Sequence, residues 1–205
     1  PRCKAHLYDT GVRVPLALRW PAQIPGNRKI DNLVRLVDLA PTLLEATGCD
    51  MLPATSGQSL LDSLTSEASG VVAGLRDHVW VGRERHTPCQ EKPAGMGGYP
   101  SRAIRTREFL YIRNYRPDRW PAGTPFPDRA TIAGAWYGDT DNGPTKRWMV
   151  EHRDKSPQTR TLYDLAFAKR PAEELYDLRA DPEQQTNVAA APRYASIRKA
   201  LATRL

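Results

Sequence analysis

Two strand-like runs joined by a short turn constrain the fold of this chain more than any other feature. They cover residues 101–107 and 109–115, and their spacing predicts a β-hairpin. Aromatic and β-branched residues predict an earlier strand at 78–84, and a last strand is predicted at 173–178. The sequence therefore predicts a small antiparallel sheet in the second half of the chain.

A helix and a long loop complete the prediction for this half. Four apolar residues recur at helical spacing within 192–205 and predict an amphipathic terminal helix: Tyr194, Ile197, Leu201 and Leu205. Residues 87–100 form a Pro/Gly-rich loop. Residues 116–160 carry little periodic signal, so a long loop with one short helix is predicted there.

The first part of the chain has a different pattern, which suggests a domain boundary near residue 70. A strand is predicted at 12–20, with Pro15 placing it at a sheet edge because proline cannot donate to a ladder. Asp38 is predicted to cap a helix that ends at Gly48, and a short helix follows at 58–64. The predicted domains are therefore residues 1–70, which end an α/β domain, and residues 71–205.

Charge narrows the range of partners. The formal net charge is +7, and residues 76–120 carry ten Arg or Lys side chains against five acidic ones. A basic segment of this kind favours a polyanion such as nucleic acid, sulfated sugar or anionic lipid. The alternative is an arginine-rich surface that is simply solvated. No run of eighteen apolar residues is present, so no membrane partner is expected.

Cysteine usage and the first residues add two expectations. The three cysteines, Cys3, Cys49 and Cys89, are too few and too scattered for a disulfide framework or a zinc site, so no metal ligand is predicted. The chain starts without an initiator Met or an apolar leader, and we expect it to be a fragment.

The polar segment near the N-terminus contains the first candidate catalytic residue. A lysine on a loop can present one fixed cation to an anionic ligand, although a solvated loop lysine is the simpler interpretation of Lys4. The pattern Lys4-x-x-x-Tyr8-Asp9-x-Gly11-x-Arg13-x-Pro15, followed by Trp20-Pro21, resembles a stretch of the type I, formylglycine-dependent sulfatases.

Three further stretches extend this resemblance over the whole chain. Residues 174–189, which begin Glu-Leu-Tyr-Asp-Leu and continue through Asp181-Pro182 to Asn187, resemble the C-terminal ending of these sulfatases. Residues 82–86 and 99–106 are similar to the heparan N-sulfatase (N-sulfoglucosamine sulfohydrolase) branch. The chain thus resembles the C-terminal portion of a sulfatase with an alkaline-phosphatase-like α/β fold.

The resemblance implies an activity and the groups that support it. It implies a sulfuric ester hydrolase that acts on a sulfated glycan, in particular glucosamine N-sulfate of heparan-type chains, with Lys4 contacting the sulfate. Formylglycine and calcium are expected in the full-length enzyme, but none of the cysteines begins a Cys-x-Pro/Ala-x-Arg motif. We therefore expect the nucleophile and metal ligands in a missing N-terminal region, no activity from this chain alone, and a periplasmic, extracellular or lysosomal location.

Further candidate substrate-binding residues lie where predicted strands end. Glu84, Arg85 and His86 follow a strand, which is a usual position for ligand contacts, although a salt-bridged strand end is an equal alternative. His6 would share a face with Lys4 in an extended loop, although packing is the simpler role. Arg102 follows a turn at Tyr99-Pro100 and is expected near substrate.

Two alternatives remain open from the sequence. A nucleic-acid-binding module would use the arginines of 76–120 with the interleaved aromatic residues. No recognisable nucleic-acid-binding motif is present, however, and nucleic acid is not expected as a partner. A phosphatase or phosphonate hydrolase of the same superfamily would use a cationic loop equally well.

Overall fold

The structure is a computed structural model that describes residues 3–72, 76–92 and 97–205. The chain divides into two compact units. One unit contains the residues up to Arg13 together with Trp80–Leu205, and the other is Val14–Val79. These limits differ from the predicted domains, 1–70 and 71–205, because the N-terminal segment groups with the second half of the chain.

A four-stranded sheet forms the centre of the larger unit. Its strands are β1 His78–Arg83, β2 Ser101–Thr106, β3 Phe109–Asn114 and β4 Glu173–Asp177. They lie in the order β1-β2-β3-β4, and β3 pairs antiparallel with both β2 and β4. The predicted hairpin and sheet are confirmed, and the ends of the strands lie within one residue of their predicted limits.

Helices account for most of the remaining regular structure of both units. Six α-helices occur in the part of the chain that the structure describes: α1 Asp9–Val12, α2 Leu39–Ala46, α3 Leu61–Thr65, α4 Pro144–Glu151, α5 Pro157–Phe167 and α6 Ala195–Arg204. Short 3-10 turns occur at Leu36–Asp38, Pro127–Arg129 and Pro192–Tyr194. The predicted terminal helix corresponds to the last of these turns and α6.

The two faces of the sheet bury different partners, because successive side chains of a strand point to opposite faces. One face packs Ala103, Ile112 and Tyr176 against Leu7 and Tyr8 of the N-terminal segment. The other face packs against α6, through a cluster that contains Ile104, Tyr111, Leu175 and Leu201. The N-terminal segment is therefore held by the sheet, and Lys4 belongs to the larger unit.

Helices α4 and α5 lie at and beyond the end of the predicted long loop, 116–160. Both α4 and α5 begin with a proline, Pro144 and Pro157, and proline is favoured at the first position of a helix because its missing N–H has no intrahelical partner there. The one short helix predicted within 116–160 corresponds to α4, whereas α5 continues into residues for which the sequence pattern predicts no element. Tyr163 and Phe167 of α5 pack on Tyr137, which fixes the preceding loop.

The predicted strand at 12–20 is wrong. Helix α1 ends at Val12, and residues 13–20 have no regular secondary structure. The alternating apolar residues Val14, Leu16 and Leu18 are exposed. Alternation produces a strand only where a neighbouring strand completes the ladder, and no described residue pairs with this segment.

In the smaller unit the helix after Asp38 and the short helix near residue 60 are confirmed as α2 and α3. The capping role predicted for Asp38 is wrong, since its side chain makes no cap hydrogen bond to α2. Asp38 is fully buried and instead pairs with Arg76. Of the predicted loop at 87–100, residues 93–96 lie outside the described residues. No helix among those that are described is long and apolar enough to cross a membrane.

Candidate functional site

Lys4 lies on a compact turn at the start of the larger unit. The backbone N–H of His6 donates to the carbonyl of Cys3, and Ala5 adopts a left-handed φ of 64°. A Cβ at Gly11 would lie 2.2 Å from the carbonyl oxygen of Cys3, so only glycine allows α1 to approach this turn. We refer to residues 3–8 as the Lys4 loop.

The Lys4 ammonium group is paired at the surface. Its Nζ donates to both carboxylate oxygens of Asp141, at 3.0 and 3.1 Å. The two side chains are 56% and 78% exposed. An ion pair with this exposure contributes about 1 kcal/mol or less, so a stronger anionic ligand can replace the carboxylate.

His6 lies in the core rather than at the surface. It is 6% exposed, and its ring stacks on Tyr8 at a centroid distance of 6.1 Å. Its burial favours the packing role over the predicted contact with substrate.

The end of β1 and the residues after it, Arg83–Thr87, form a segment that we call the corner. The guanidinium of Arg83 donates to the carbonyls of Ala5, of Tyr99 at 3.3 Å and of Pro121 at 3.0 Å. Burial lowers the pKa of Arg83, and the Asp139 carboxylate 3.7 Å away opposes this shift. Arg83 therefore ties the corner directly to the Lys4 loop.

Asp139 connects the corner to the long loop that precedes α4. This carboxylate is 3% exposed and accepts hydrogen bonds from the backbone N–H of Thr87 at 2.9 Å and from its hydroxyl at 2.6 Å. The Nδ1 atom of His86 lies 3.3 Å from the same oxygen. A carboxylate at Nδ1 fixes the ring and favours the proton on that nitrogen, which leaves Nε2 as the acceptor of the neutral imidazole.

Glu84 and Arg102 neutralise each other. Arg102 donates to the Glu84 carboxylate and to the carbonyl oxygen of Arg83 at 3.3 Å. Both side chains are substantially exposed, at 67% for Glu84 and 42% for Arg102. The salt-bridged strand end that was the alternative interpretation is therefore present, and a role for either residue in substrate binding stays a prediction.

An open pocket of about 460 Å³ lies beside the corner. It is lined by Glu84, Arg85, Gly98, Pro100 and Arg119. Arg85 was a sequence candidate, whereas Arg119 was not, because it lies in a loop with no motif around it. The structure thus brings Lys4, Arg83, Arg85 and His86 into one unit and one connected region.

The two aspartates that organise this region were also missed. Asp139 and Asp141 lie in the segment Gly138-Asp139-Thr140-Asp141, and the repeated acid was the only available signal. Lys146 holds this segment from inside. Its buried ammonium donates to the carbonyls of Trp136 at 2.6 Å, Tyr137 at 3.0 Å and Thr140 at 2.8 Å, and to Oδ1 of Asn142 at 3.0 Å.

The cysteines and the acidic side chains do not fit the formylglycine and calcium that the sequence resemblance implies. Burial raises the pKa of the Cys89 thiol to about 11, whereas Cys3 and Cys49 are exposed. Within residues 3–72, 76–92 and 97–205, no group of three or more His, Cys, Asp or Glu side chains could hold a metal ion.

Comparison with known proteins gives one match to a family model and several related sequences. Residues 3–120 match the family described as N-sulphoglucosamine sulphohydrolase, C-terminal. An ulvan-active sulfatase from Formosa agariphila is 28% identical over 201 residues, which are 97% of this chain and 33% of that protein. Arylsulfatase K from Mus musculus is 36% identical over 111 residues, 53% of this chain and 18% of that protein. The chain thus spans a third or less of these relatives.

Solved structures give weaker similarities. A protein in complex with its substrate D-glucosamine-2-N,6-O-disulfate matches 82% of this chain and 22% of its own, with 21% identity and a TM-score of 0.44. A phosphonate monoester hydrolase from Agrobacterium radiobacter covers 82% of this chain and 23% of its own, with 20% identity and a TM-score of 0.43.

Proposed function

Since the chain belongs to the N-sulphoglucosamine sulphohydrolase C-terminal family, we propose that it is the C-terminal part of a sulfatase that hydrolyses sulfated carbohydrate. The names of the curated relatives support this class, because both the ulvan-active sulfatases and arylsulfatase K are sulfatases. One structural observation carries the proposal. The Lys4 loop and the corner share one region, because Arg83 donates to the carbonyl of Ala5. The long loop before α4 contacts both, through Asp139 with Thr87 and through Asp141 with Lys4.

In this proposal the ammonium group of Lys4 contacts the reacting sulfate group. Hydrolysis of a sulfate ester or sulfamate builds negative charge on the leaving atom and needs cations beside the sulfuryl oxygens. An ammonium is a compact point charge that suits one such oxygen. Asp141 holds the ammonium in place until substrate arrives, and the sulfate then replaces this exposed carboxylate.

In this proposal His86 contacts the leaving atom of the sulfate group or the sugar next to it. Its ring is fixed by Asp139, and a histidine can donate or accept a proton near neutral pH. The side chain is 36% exposed, so a ligand can reach it. The buried carboxylate of Asp139 orients the ring.

The finer proposal is that the substrate is glucosamine N-sulfate in a heparan-type glycan. The description of the family and the resemblance of residues 82–86 and 99–106 to the heparan N-sulfatase branch support it. Formylglycine and calcium complete the enzyme in this proposal. Their ligands come from residues outside this chain, since the cysteines and acidic groups described here do not suit them.

Sulfate release by the full-length gene product tests the proposal. We expect turnover of N-sulfated glucosamine oligosaccharides, with weaker turnover of 6-O-sulfated ones and none of a phosphonate monoester. Turnover of O-sulfates alone would limit the proposal to sulfated carbohydrate. Turnover of the phosphonate ester without any sulfate release would contradict it and favour a phosphonate hydrolase.

A further inference from the structure

We propose that the pocket beside the corner binds a second anionic group of the glycan, a carboxylate or an additional sulfate. Its lining residues are Glu84, Arg85, Gly98, Pro100 and Arg119. The inference rests on the proposed function, because it places this second anion next to the sulfate that Lys4 receives. It adds a substrate class: glycans in which a neighbouring position is also charged.

The charges around the pocket favour an anion. Among the described residues, two guanidinium groups, those of Arg85 and Arg119, line it with one carboxylate, that of Glu84. Arg102 pairs with this carboxylate, and these three guanidinium groups and one carboxylate together carry an excess of positive charge. Guanidinium groups bind planar or tetrahedral oxyanions through paired N–H donors, and both carboxylates and sulfates provide such oxygens.

Arg119 is held in place and keeps donors available. Its Nη1 donates to the carbonyl of Gly98 at 2.8 Å, the one side-chain hydrogen bond that Arg119 makes within the described parts of the chain. Its Nε is buried, so the N–H groups on the two terminal nitrogens are the ones that can donate to an incoming acceptor. A guanidinium that is fixed before binding loses less side-chain entropy when the ligand arrives.

The backbone of Gly98 forms part of the pocket wall. A Cβ at this position would lie 1.9 Å from the carbonyl oxygen of Glu84 and 2.6 Å from Cβ of Arg85. The backbone therefore approaches the corner more closely than any residue with a side chain allows. This close approach brings Arg119, bonded to Gly98, next to Arg85.

The size and position of the pocket suit a neighbouring sugar. Its volume of about 460 Å³ lies within the range of small-molecule sites. Arg85 directly precedes His86, and consecutive Cα atoms are about 3.8 Å apart. A sugar unit contacted by His86 thus has its neighbour within reach of Arg85.

Two variants and one matched control test the inference in the full-length protein. The variants are Arg85→Gln and Arg119→Gln, and the control is Arg116→Gln, whose side chain pairs with Asp118 and does not line the pocket. The substrates are three disaccharides with the same scissile sulfate whose neighbouring sugar carries a carboxylate, a sulfate or neither. We expect each variant to lower the preference for a charged over a neutral neighbour, as the ratio of kcat/KM values, about tenfold. The control keeps the preference of the unmodified protein.

A binding measurement separates this inference from the proposed function. Calorimetric titration with glucuronate, glucose 6-sulfate and glucose needs no turnover, and the better-bound acid identifies the preferred anion. One result would support the anion site and overturn the proposed function: the unmodified protein binds one of these anions, loses that binding in Arg119→Gln, and releases no sulfate from any substrate. Turnover with an unchanged preference in both variants, or the same loss in Arg116→Gln, would overturn the inference and leave the function standing.

Discussion

At the scale of single residues, the carboxylate of Asp139 links the groups on which the candidate site depends. It accepts from Thr87, lies 3.3 Å from Nδ1 of His86 and 3.7 Å from the buried guanidinium of Arg83. Asp141, two residues later, makes a single exposed pair with Lys4. Asp139 is therefore a buried charge with several partners, whereas Asp141 is an exposed charge with one. Comparing the stability of variants at the two positions distinguishes the contributions of these two kinds of charge.

We predict that Asp139→Asn lowers the free energy of unfolding by about 1–3 kcal/mol, since the neutral amide leaves the Arg83 guanidinium without its counter-charge and weakens hydrogen bonds to Thr87. The matched variant Asp141→Asn costs less than about 1 kcal/mol, because its ion pair is exposed. Urea denaturation of the two variants measures both values. Equal losses would show that Asp139 does not organise the corner.

Asp38 leads to a prediction about pH. Burial alone would raise the pKa of its carboxyl, but hydrogen bonds from Arg76 and from the N–H groups of Gln58 and Arg35 outweigh burial and lower the pKa below its ordinary value of 3.8. A lowered pKa stabilises the folded state above pH 3.8. This stabilisation is lost as the pH falls from there through the folded-state pKa.

We therefore predict that the smaller unit unfolds at less denaturant as the pH drops below 3.8. Asp38→Asn reduces this dependence and costs about 3–5 kcal/mol at neutral pH, because the buried Arg76 loses its partner. Denaturant titrations at pH 3 and pH 7, followed by circular dichroism, measure both effects. An unchanged pH dependence in the variant would show that other carboxyl groups account for the acid sensitivity.

At the scale of secondary-structure elements, the segment 136–142 shows how a loop without regular structure is fixed. The buried ammonium of Lys146, in the first turns of α4, donates to four oxygens of this segment. Burial lowers the pKa of Lys146, with opposition from nearby Asp141. One buried cation thus satisfies the backbone carbonyls that hydrogen bonds between strands satisfy in a sheet, and it fixes the positions of Asp139 and Asp141.

We predict that Lys146→Met destabilises the larger unit by about 3 kcal/mol, because it leaves buried carbonyl groups without a donor. The loss should be accompanied by faster amide hydrogen exchange in 136–142. Lys155→Met, at an exposed position after α4, is the control and should have little effect. If exchange in 136–142 is unchanged in Lys146→Met, the segment does not depend on this ammonium.

Local patterns account for the elements that the sequence predicted correctly. The hairpin of β2 and β3 and the helix α6 follow from period and spacing within short stretches. The strand expected at 12–20 failed because strand formation depends on a partner that the local pattern does not specify. Helix α5 is not predicted, although its start carries a local signal, the capping side chain of Ser156 followed by Pro157.

The candidate site was predictable only in part, for a related reason. Lys4 and the corner followed from ordered motifs that resemble a known family. The partners of these residues are distant in sequence: Asp141 is 137 positions from Lys4, and Asp139 is 53 positions from His86. Such contacts result from the packing of the long loop on α4 and α5, which no short pattern encodes.

At the scale of the whole molecule, the basic stretch 76–120 is largely neutralised. Among the residues that the structure describes, at least six of its ten basic side chains form ion pairs with acidic residues: Arg76, Arg83, Arg102, Arg105, Arg113 and Arg116. Much of the positive charge that suggested a polyanion as partner is therefore used in ion pairs within the protein. The anion site that we propose lies in the pocket beside the corner.

We predict that these 205 residues alone release no sulfate, because the proposed nucleophile and metal ligands come from outside them. The measurement is sulfate release from N-sulfated glucosamine oligosaccharides by the isolated chain and by the full-length gene product. Turnover by the isolated chain, at a rate unaffected by chelators, would contradict the prediction.

The most direct measurement of the central claim, that Lys4 contacts the reacting sulfate, is kcat/KM for sulfate release by two full-length variants. They are Lys4→Gln and Lys29→Gln. Lys29 is a matched control, since it is also an exposed lysine in an ion pair, with Asp31 at 2.9 Å. We predict a loss of about a hundredfold or more for Lys4→Gln, because removal of one charge-stabilising donor has that effect on a transition state. Lys29→Gln should retain the activity of the unmodified protein. Full activity in Lys4→Gln, or equal losses in both variants, would contradict the account.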